Sequence, residues 1–282
     1  MTLKEVLKHI VDKLMAIYPE SESENIAHWV IEHITGLSRS ARYASKKAII
    51  SAEQLQEIDS IIGRLQNHEP VQYILNECWF CGLKFYVDKH VLIPRPETEE
   101  LVDWIITNCR FPISQLRILD IGTGSGCIGI ALKRKLRKAE VWACDISKGA
   151  LDVARKNAST LGVDVHFLQL DFLDRSTWPS LPSFDIIVSN PPYIPEKDKA
   201  EMRNNVVRYE PEQALFVPDN DPLLFYNAIS AFGKTNLNKE GSIYMEINES
   251  LGEAVTQLLQ TNHYTTQLKK DMQGKDRMVK AN

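Results

Sequence analysis

Leu3, Val6, Leu7, Ile10, Val11, Leu14 and Ile17 recur at three- and four-residue spacing, the period of a helix with one apolar face, and Thr2 with Glu5 can form a reciprocal cap at its start. A second helix is expected from Ile26, Ala27, Trp29, Val30 and Ile34, capped by Ser21 with Glu24 and ended by Gly36. Ser51 and Gln54 open a third, with Leu55, Ile58, Ile61, Ile62 and Leu65 facing inward. Residues 1–70 therefore read as a small helical domain. His9, His28 and His33 fall within it without carboxylate or Cys partners, so they read as solvated or packed side chains rather than catalytic ones.

The period changes after residue 70. From Val71 to Val87, β-branched and aromatic residues gather round Gly82, the pattern of a hairpin, and residues 71–93 read as a linker between two domains. Pro94 and Pro96 then hold Arg95 and Glu97 extended, and Thr98 is placed to cap a helix running from Glu99 to about Cys109. An Arg and two carboxylates beside a helix start form either a capping cluster or one wall of an active site. Further on, residues 116–121, 140–144, 163–168, 186–189 and 242–247 read as strands separated by helical stretches, with Val279 in a final strand. That alternation predicts an α/β domain over residues 94–282, built on a parallel sheet wound on both faces.

Composition narrows the function without naming it. A length of 282 residues suits about two domains, and a net charge of −4 is too mild to draw nucleic acid non-specifically, so no direct nucleic-acid contact is expected. No apolar run approaches the ~20 residues that cross a bilayer, and the first residues lack a basic segment followed by an apolar one. A cytoplasmic protein without membrane contact is expected. The five cysteines are an odd number in apolar surroundings, which argues for reduced thiols. Cys78 and Cys81 form one Cys-x-x-Cys, but with no second pair or nearby His they read as buried structural thiols, and no metal site is expected.

Chemistry gathers where strands are expected to end. The first runs into Asp120-Ile121-Gly122-Thr123-Gly124-Ser125-Gly126, a loop whose glycines let the backbone pass close under a ligand. Gly124, Gly126 and Gly129 match Gly-x-Gly-x-x-Gly, a weak signal alone; Asp145, about 20 residues on, adds a carboxylate for two ribose hydroxyls. Asp171 and Phe172 offer an acceptor and a ring face to an adenine. The fourth strand, Ile186-Ile187-Val188, stops at Asn190-Pro191-Pro192-Tyr193. Neither proline has a backbone N–H, so this loop offers carbonyl oxygens and the Asn190 side chain, a surface that accepts hydrogen bonds from an NH2 group. A nicotinamide dinucleotide or S-adenosylmethionine fits the nucleoside site. Without an evident proton shuttle, and with acceptors for an amide or amine, methyl transfer to nitrogen is the better reading.

These motifs carry a resemblance. Residues 120–126 resemble the cofactor loop of class I S-adenosylmethionine methyltransferases, and Asn190-Pro191-Pro192-Tyr193 resembles the signature of those that methylate amide or exocyclic nitrogens. With Leu92-Ile93-Pro94-Arg95-Pro96-Glu97-Thr98-Glu99, Tyr209-Glu210-Pro211 before Ala214-Leu215, and Gly274-Lys275-Asp276-Arg277-Met278-Val279, the chain is similar over nearly its whole length to the peptide chain release factor glutamine methyltransferase family. The resemblance implies a Rossmann-like fold with a mostly parallel seven-stranded sheet, S-adenosylmethionine as donor and S-adenosylhomocysteine as product. The implied substrate is the glutamine of the Gly-Gly-Gln motif in bacterial class I release factors.

The cofactor would lie on Asp120, Ile121, Gly122, Thr123, Gly124, Gly126, Asp145, Asp171, Phe172 and Asn190. The glutamine would lie on Asn190, Pro191, Pro192 and Tyr193 with Arg95 and Glu97, the catalytic set being Asn190, Pro191 and Tyr193. The helical domain would dock the release factor, and a monomer is expected. Two departures stand out: Phe172 where the family commonly has Trp, and Asn248 where Gly is expected after Glu246-Ile247. The rival readings are a ribosomal-protein glutamine methyltransferase, a DNA or RNA exocyclic-amine methyltransferase, and a non-catalytic adaptor that binds the cofactor for stability.

Overall fold

In the computed structural model, which describes residues 1–45, 48–109 and 116–282, the first helices run α1 Leu3–Leu14, α2 Glu20–Thr35, α3 Arg39–Ala44, α4 Ala52–Gln66 and α5 Val71–Leu75. The reciprocal caps of Thr2 with Glu5 and of Ser51 with Gln54 both form. The cap expected at Ser21 with Glu24 does not. α2 starts two residues earlier, after Pro19, whose ring presets the backbone for a helix entry, and Ser21 lies inside the helix. Gly36 ends α2 in the left-handed region, as its position predicts. Val6, Ile10 and Leu14 pack with Ala27, Val30, Ile58 and Leu65 in one apolar core. His9 is not unpartnered: its Nε2 lies 3.1 Å from Asp59 Oδ1 of α4.

By packing, Met1–Asn76 and Arg203–Tyr209 form one compact unit, and Glu77–Met202 with Glu210–Asn282 form the other. The expected hairpin linker over residues 71–93 is shorter than its pattern suggested. Val71, Ile74 and Leu75 bury their side chains on helix α5, which Pro70 initiates, and join the helical core. Only β1 Cys78–Phe80 and β2 Leu83–Phe85 pair, around Cys81 and Gly82, both left-handed. Burial pushes the Cys78 and Cys81 thiols up to about 12, so they stay protonated and inert at neutral pH.

The second unit continues with α6 Pro96–Asn108, β3 Arg117–Ile121, α7 Cys127–Lys135, β4 Glu140–Asp145, α8 Lys148–Leu161, β5 His166–Gln169, β6 Phe184–Ser189 and β7 Ile194–Pro195. After α9 Asn204–Val207, which belongs to the helical unit, come β8 Phe216–Val217, α10 Leu224–Asn236, β9 Leu237–Glu246, α11 Gly252–Thr261, β10 Thr266–Lys270 and β11 Asp276–Ala281. Seven strands form one sheet in the order β10-β11-β9-β6-β3-β4-β5. β9, β6, β3, β4 and β5 are parallel, and β11 is antiparallel to both neighbours.

Successive residues of the inner strands serve opposite faces, which is why those strands read as unbroken apolar runs. Ile118, Ile186 and Val188 pack under α6 and α7, while Leu119, Ile187 and Ile243 pack under α10 and α11. The chain leaves β3 for β4 and β5 on one side and returns to β6 on the other. The carboxyl ends of β3 and β6 thus flank a switch point, where open α/β sheets hold ligands. No helix among the described residues is long and apolar enough to cross a membrane.

Candidate active site

The loop after β3 is tied down from three sides. Gly122 N and Thr123 N donate to Cys144 O at 2.9 and 3.0 Å, and Gly124 N donates to Asp145 Oδ2 at 2.9 Å. Beneath it lies Asp120, fully buried, whose Oδ2 accepts from Thr123 Oγ1 at 2.6 Å and from Gly129 N at 3.0 Å. Its Oδ1 has no hydrogen-bond partner among the described residues. Burial outweighs the two hydrogen bonds and pushes the carboxyl up to about 6. Gly126 caps α7 at φ 81°, and a Cβ there would meet Ile130 Cδ1 at 2.8 Å and Ala154 Cβ at 3.1 Å.

A cavity of ≈ 260 Å³ opens over this loop at the switch point. Ile121, Gly122, Gly124, Asp145, Asp171, Phe172, Asn190, Pro191 and Pro192 line it, so the glycine loop and the Asn-Pro-Pro loop share one space. Asp145 ends β4 with Oδ1 accepting from Ser147 N at 2.9 Å, and desolvation raises its pKa despite these backbone donors. Phe172 is held in an aromatic cluster, its ring centroid 5.6 Å from that of Trp178 and 5.2 Å from that of Phe232. Asp171 turns one oxygen back to Leu173 N at 2.9 Å.

The remaining expected site residues do not line the cavity. Asp120, Thr123 and Gly126 shape the loop from below or pack against helices. Arg95 and Glu97 were expected to touch substrate. Arg95 instead pairs with Glu210, whose other oxygen accepts from Ile93 N at 3.1 Å. This pair joins the two segments that carry the lining residues Leu92 and Pro211. Glu97 is half-buried, and Gln273 Nε2 reaches it at 3.5 Å. Tyr193 turns away from the cavity, and its hydroxyl donates to Glu246 Oε1 at 3.2 Å.

Thr98 is not the helix cap. Pro96 starts α6 with Arg95 before it, placing Thr98 third in the helix, where it is 2% exposed. Its hydroxyl donates to Glu246 Oε2 at 2.6 Å and accepts from Asn190 Nδ2 at 3.2 Å. Glu246, buried at the end of β9 beside β6, was not expected to take part, although it stands two residues before Asn248 in the pattern that drew notice. Burial raises its pKa against the hydrogen bonds from Thr98 and Tyr193 and the charge of Arg277. Sequence reasoning also missed Ile146, 53% exposed and lining the cavity directly after Asp145. An apolar residue at a polar strand end was the available signal.

Comparison with known proteins gives the family of the chain. The methyltransferase small domain family matches residues 98–213, and the PrmC N-terminal domain family matches residues 5–75. The release factor glutamine methyltransferase of Flavobacterium psychrophilum is 44% identical over 285 residues, spanning 100% of this chain and 99% of that protein. The protein of the same name from Bacteroides thetaiotaomicron is 43% identical over 281 residues, spanning 99% and 100%. The crystal structure of a methyltransferase from Pyrococcus furiosus aligns at a TM-score of 0.50 and 16% identity over 78% of this chain and 95% of that one, a likeness of fold alone. With full-length identity to two such relatives and matches in both halves, the chain belongs to the release factor glutamine methyltransferase family.

Proposed function

We propose that this protein transfers a methyl group from S-adenosylmethionine to the side-chain amide nitrogen of the glutamine in the Gly-Gly-Gln motif of a peptide chain release factor. One observation carries the reading: the acceptor loop at Asn190, Pro191 and Pro192 opens into the same cavity as the glycine loop and Asp145.

The residues fit the donor. A Cβ built on Gly122 or Gly124 would meet nothing within 4 Å, so the glycines leave open space over the loop where a nucleoside can approach the backbone. Asp145 spends one lone pair of each oxygen on Ser147 and Gly124 and keeps others for ribose hydroxyls. Phe172 and Ile146 supply apolar surface for a purine. The bound donor would supply an electrophilic methyl on a sulfonium.

The protein's own task is to make a poor nucleophile react. An amide nitrogen shares its lone pair with the carbonyl, and removing a proton beforehand would be very costly, so the residues work by positioning. The Asn190 side-chain oxygen and the Pro191 carbonyl accept the two amide hydrogens. Those acceptors aim the nitrogen and stabilise the positive charge that develops on it. The helical unit serves to dock the release factor, because one glutamine on a loop provides little binding area.

The test is to incubate the protein with labelled S-adenosylmethionine and purified release factor and to locate the label by peptide mass spectrometry. Label on the Gly-Gly-Gln glutamine is the expected result. Label found only on a ribosomal protein would overturn the substrate assignment.

A further inference from the structure

An asparagine carboxamide has two ends of nearly one shape, a donor and an acceptor, and half a turn about its last bond exchanges them. Its value as an acceptor for an incoming NH2 depends on something that sorts the two ends. Pro191 and Pro192 have no N–H to do so. The sorting group lies behind the loop: Asn190 Nδ2 is 3.2 Å from Thr98 Oγ1, which is itself 2.6 Å from Glu246 Oε2.

While Glu246 is ionised its carboxylate only accepts, so the single hydrogen of the Thr98 hydroxyl is then committed to Glu246. The Thr98 oxygen is left with lone pairs alone, and the atom of Asn190 that faces it must be an N–H. The Asn190 oxygen is thereby left for the cavity. Tyr193 holds the arrangement in the same sense, because its hydroxyl donates to the other Glu246 oxygen at 3.2 Å. From this geometry we infer that Thr98 and Glu246 are positioning residues that set the polarity of the Asn190 carboxamide and so make the site select an amide NH2 over a carboxylate. The inference rests on the reading of Asn190 as the acceptor of the glutamine amide.

The arrangement also predicts a pH dependence. Facing Glu246 are Thr98 and Glu97 of α6, Tyr193 beyond β6, Tyr226 of α10 and Arg277 of β11. Burial raises the Glu246 carboxyl, while Arg277 and the two hydroxyl donors oppose the rise. When Glu246 takes up a proton it can donate to Thr98. The Thr98 hydroxyl is then free to donate to the Asn190 oxygen, and the carboxamide reverses.

The test uses the full-length protein with synthetic Gly-Gly-Gln and Gly-Gly-Glu peptides, their binding measured in the presence of S-adenosylhomocysteine and their turnover with S-adenosylmethionine. Thr98→Val removes the hydroxyl at nearly constant shape. It should lower kcat on the glutamine peptide about tenfold and reduce the Gln-over-Glu binding preference about tenfold, a fraction of what a complete hydrogen-bonding site achieves. S-adenosylhomocysteine affinity should stay within about twofold, and Thr98→Ser should restore both losses. Glu246→Gln, whose NH2 can donate to Thr98, should weaken the same preference and remove the acidic limb of the kcat profile; it also serves if Thr98→Val does not fold. Wild-type preference and kcat in these variants would overturn the positioning role. Failure of the wild-type protein itself to bind or methylate the glutamine peptide would instead overturn the reading of Asn190.

Discussion

Asn190 carries the sharpest expectation at the scale of single residues. Asn190→Ala removes one preorganised acceptor, so turnover should fall by about 10²–10³. The affinity for S-adenosylhomocysteine, measured calorimetrically, should fall far less than turnover, and an equal loss of both would assign Asn190 to the donor alone. Asp120 has a different signature. Burial pushes its carboxyl up to about 6 from an ordinary 3.8, so between those values the folded chain binds more protons than the unfolded one. For a raised acid this means that stability falls as pH rises through that window. Asp120→Asn should flatten the dependence of the melting temperature on pH between about 4 and 6, while Thr123 and Gly129 keep an oxygen to bond. An unchanged slope would place its origin elsewhere. Asn248, out of pattern in the sequence, has a plain local role: its Oδ1 accepts from Ser250 N at 3.0 Å and Ser250 Oγ at 2.8 Å, shaping the turn into α11.

Among elements, the glycine loop shows how much of a site a short motif can specify. Its three left-handed glycines have unequal reasons for being glycine. Gly122 and Gly124 face open space, whereas a side chain at Gly126 would strike Ile130 and Ala154. Gly126→Ala combines that clash with a left-handed backbone and should destabilise by about 1–3 kcal/mol or more, read by denaturant unfolding. The helices and inner strands were legible because burial leaves a period in the chain. The β10 strand was not, since Thr266–Lys270 is an edge strand with no fully buried position. The capping errors at Ser21 and Thr98 share one cause. A proline just upstream, Pro19 or Pro96, begins the helix first and leaves the hydroxyl residue inside. At Thr98 the difference matters, because a capping threonine would turn its oxygen to a backbone N–H of α6, whereas here that oxygen accepts from Asn190 Nδ2.

For the whole molecule, recognition should show in two measurements. A release factor with Gly-Gly-Glu in place of Gly-Gly-Gln offers no N–H to the acceptors, and sites of this kind reject such analogues by about 10⁴, so no methylation should be detected. If the helical unit docks the factor, Ile49→Glu, which alters an isoleucine 80% exposed on that unit, should raise KM for the intact factor about tenfold and leave a short peptide unaffected. Equal effects on both would make the unit structural. The sequence by itself determined which stretches are buried, where strands end, and that a glycine loop, a carboxylate and a proline loop without N–H groups at Pro191 and Pro192 follow them. Hydropathy and local motifs carry that much, because each is written within a few consecutive residues. Only the tertiary structure decided which motif residues reach the cavity, and that Thr98, Glu246 and Tyr193 stand behind Asn190. Thr98 lies 92 residues from Asn190 and 148 from Glu246, and a hydrogen bond between residues so far apart leaves no period in the chain.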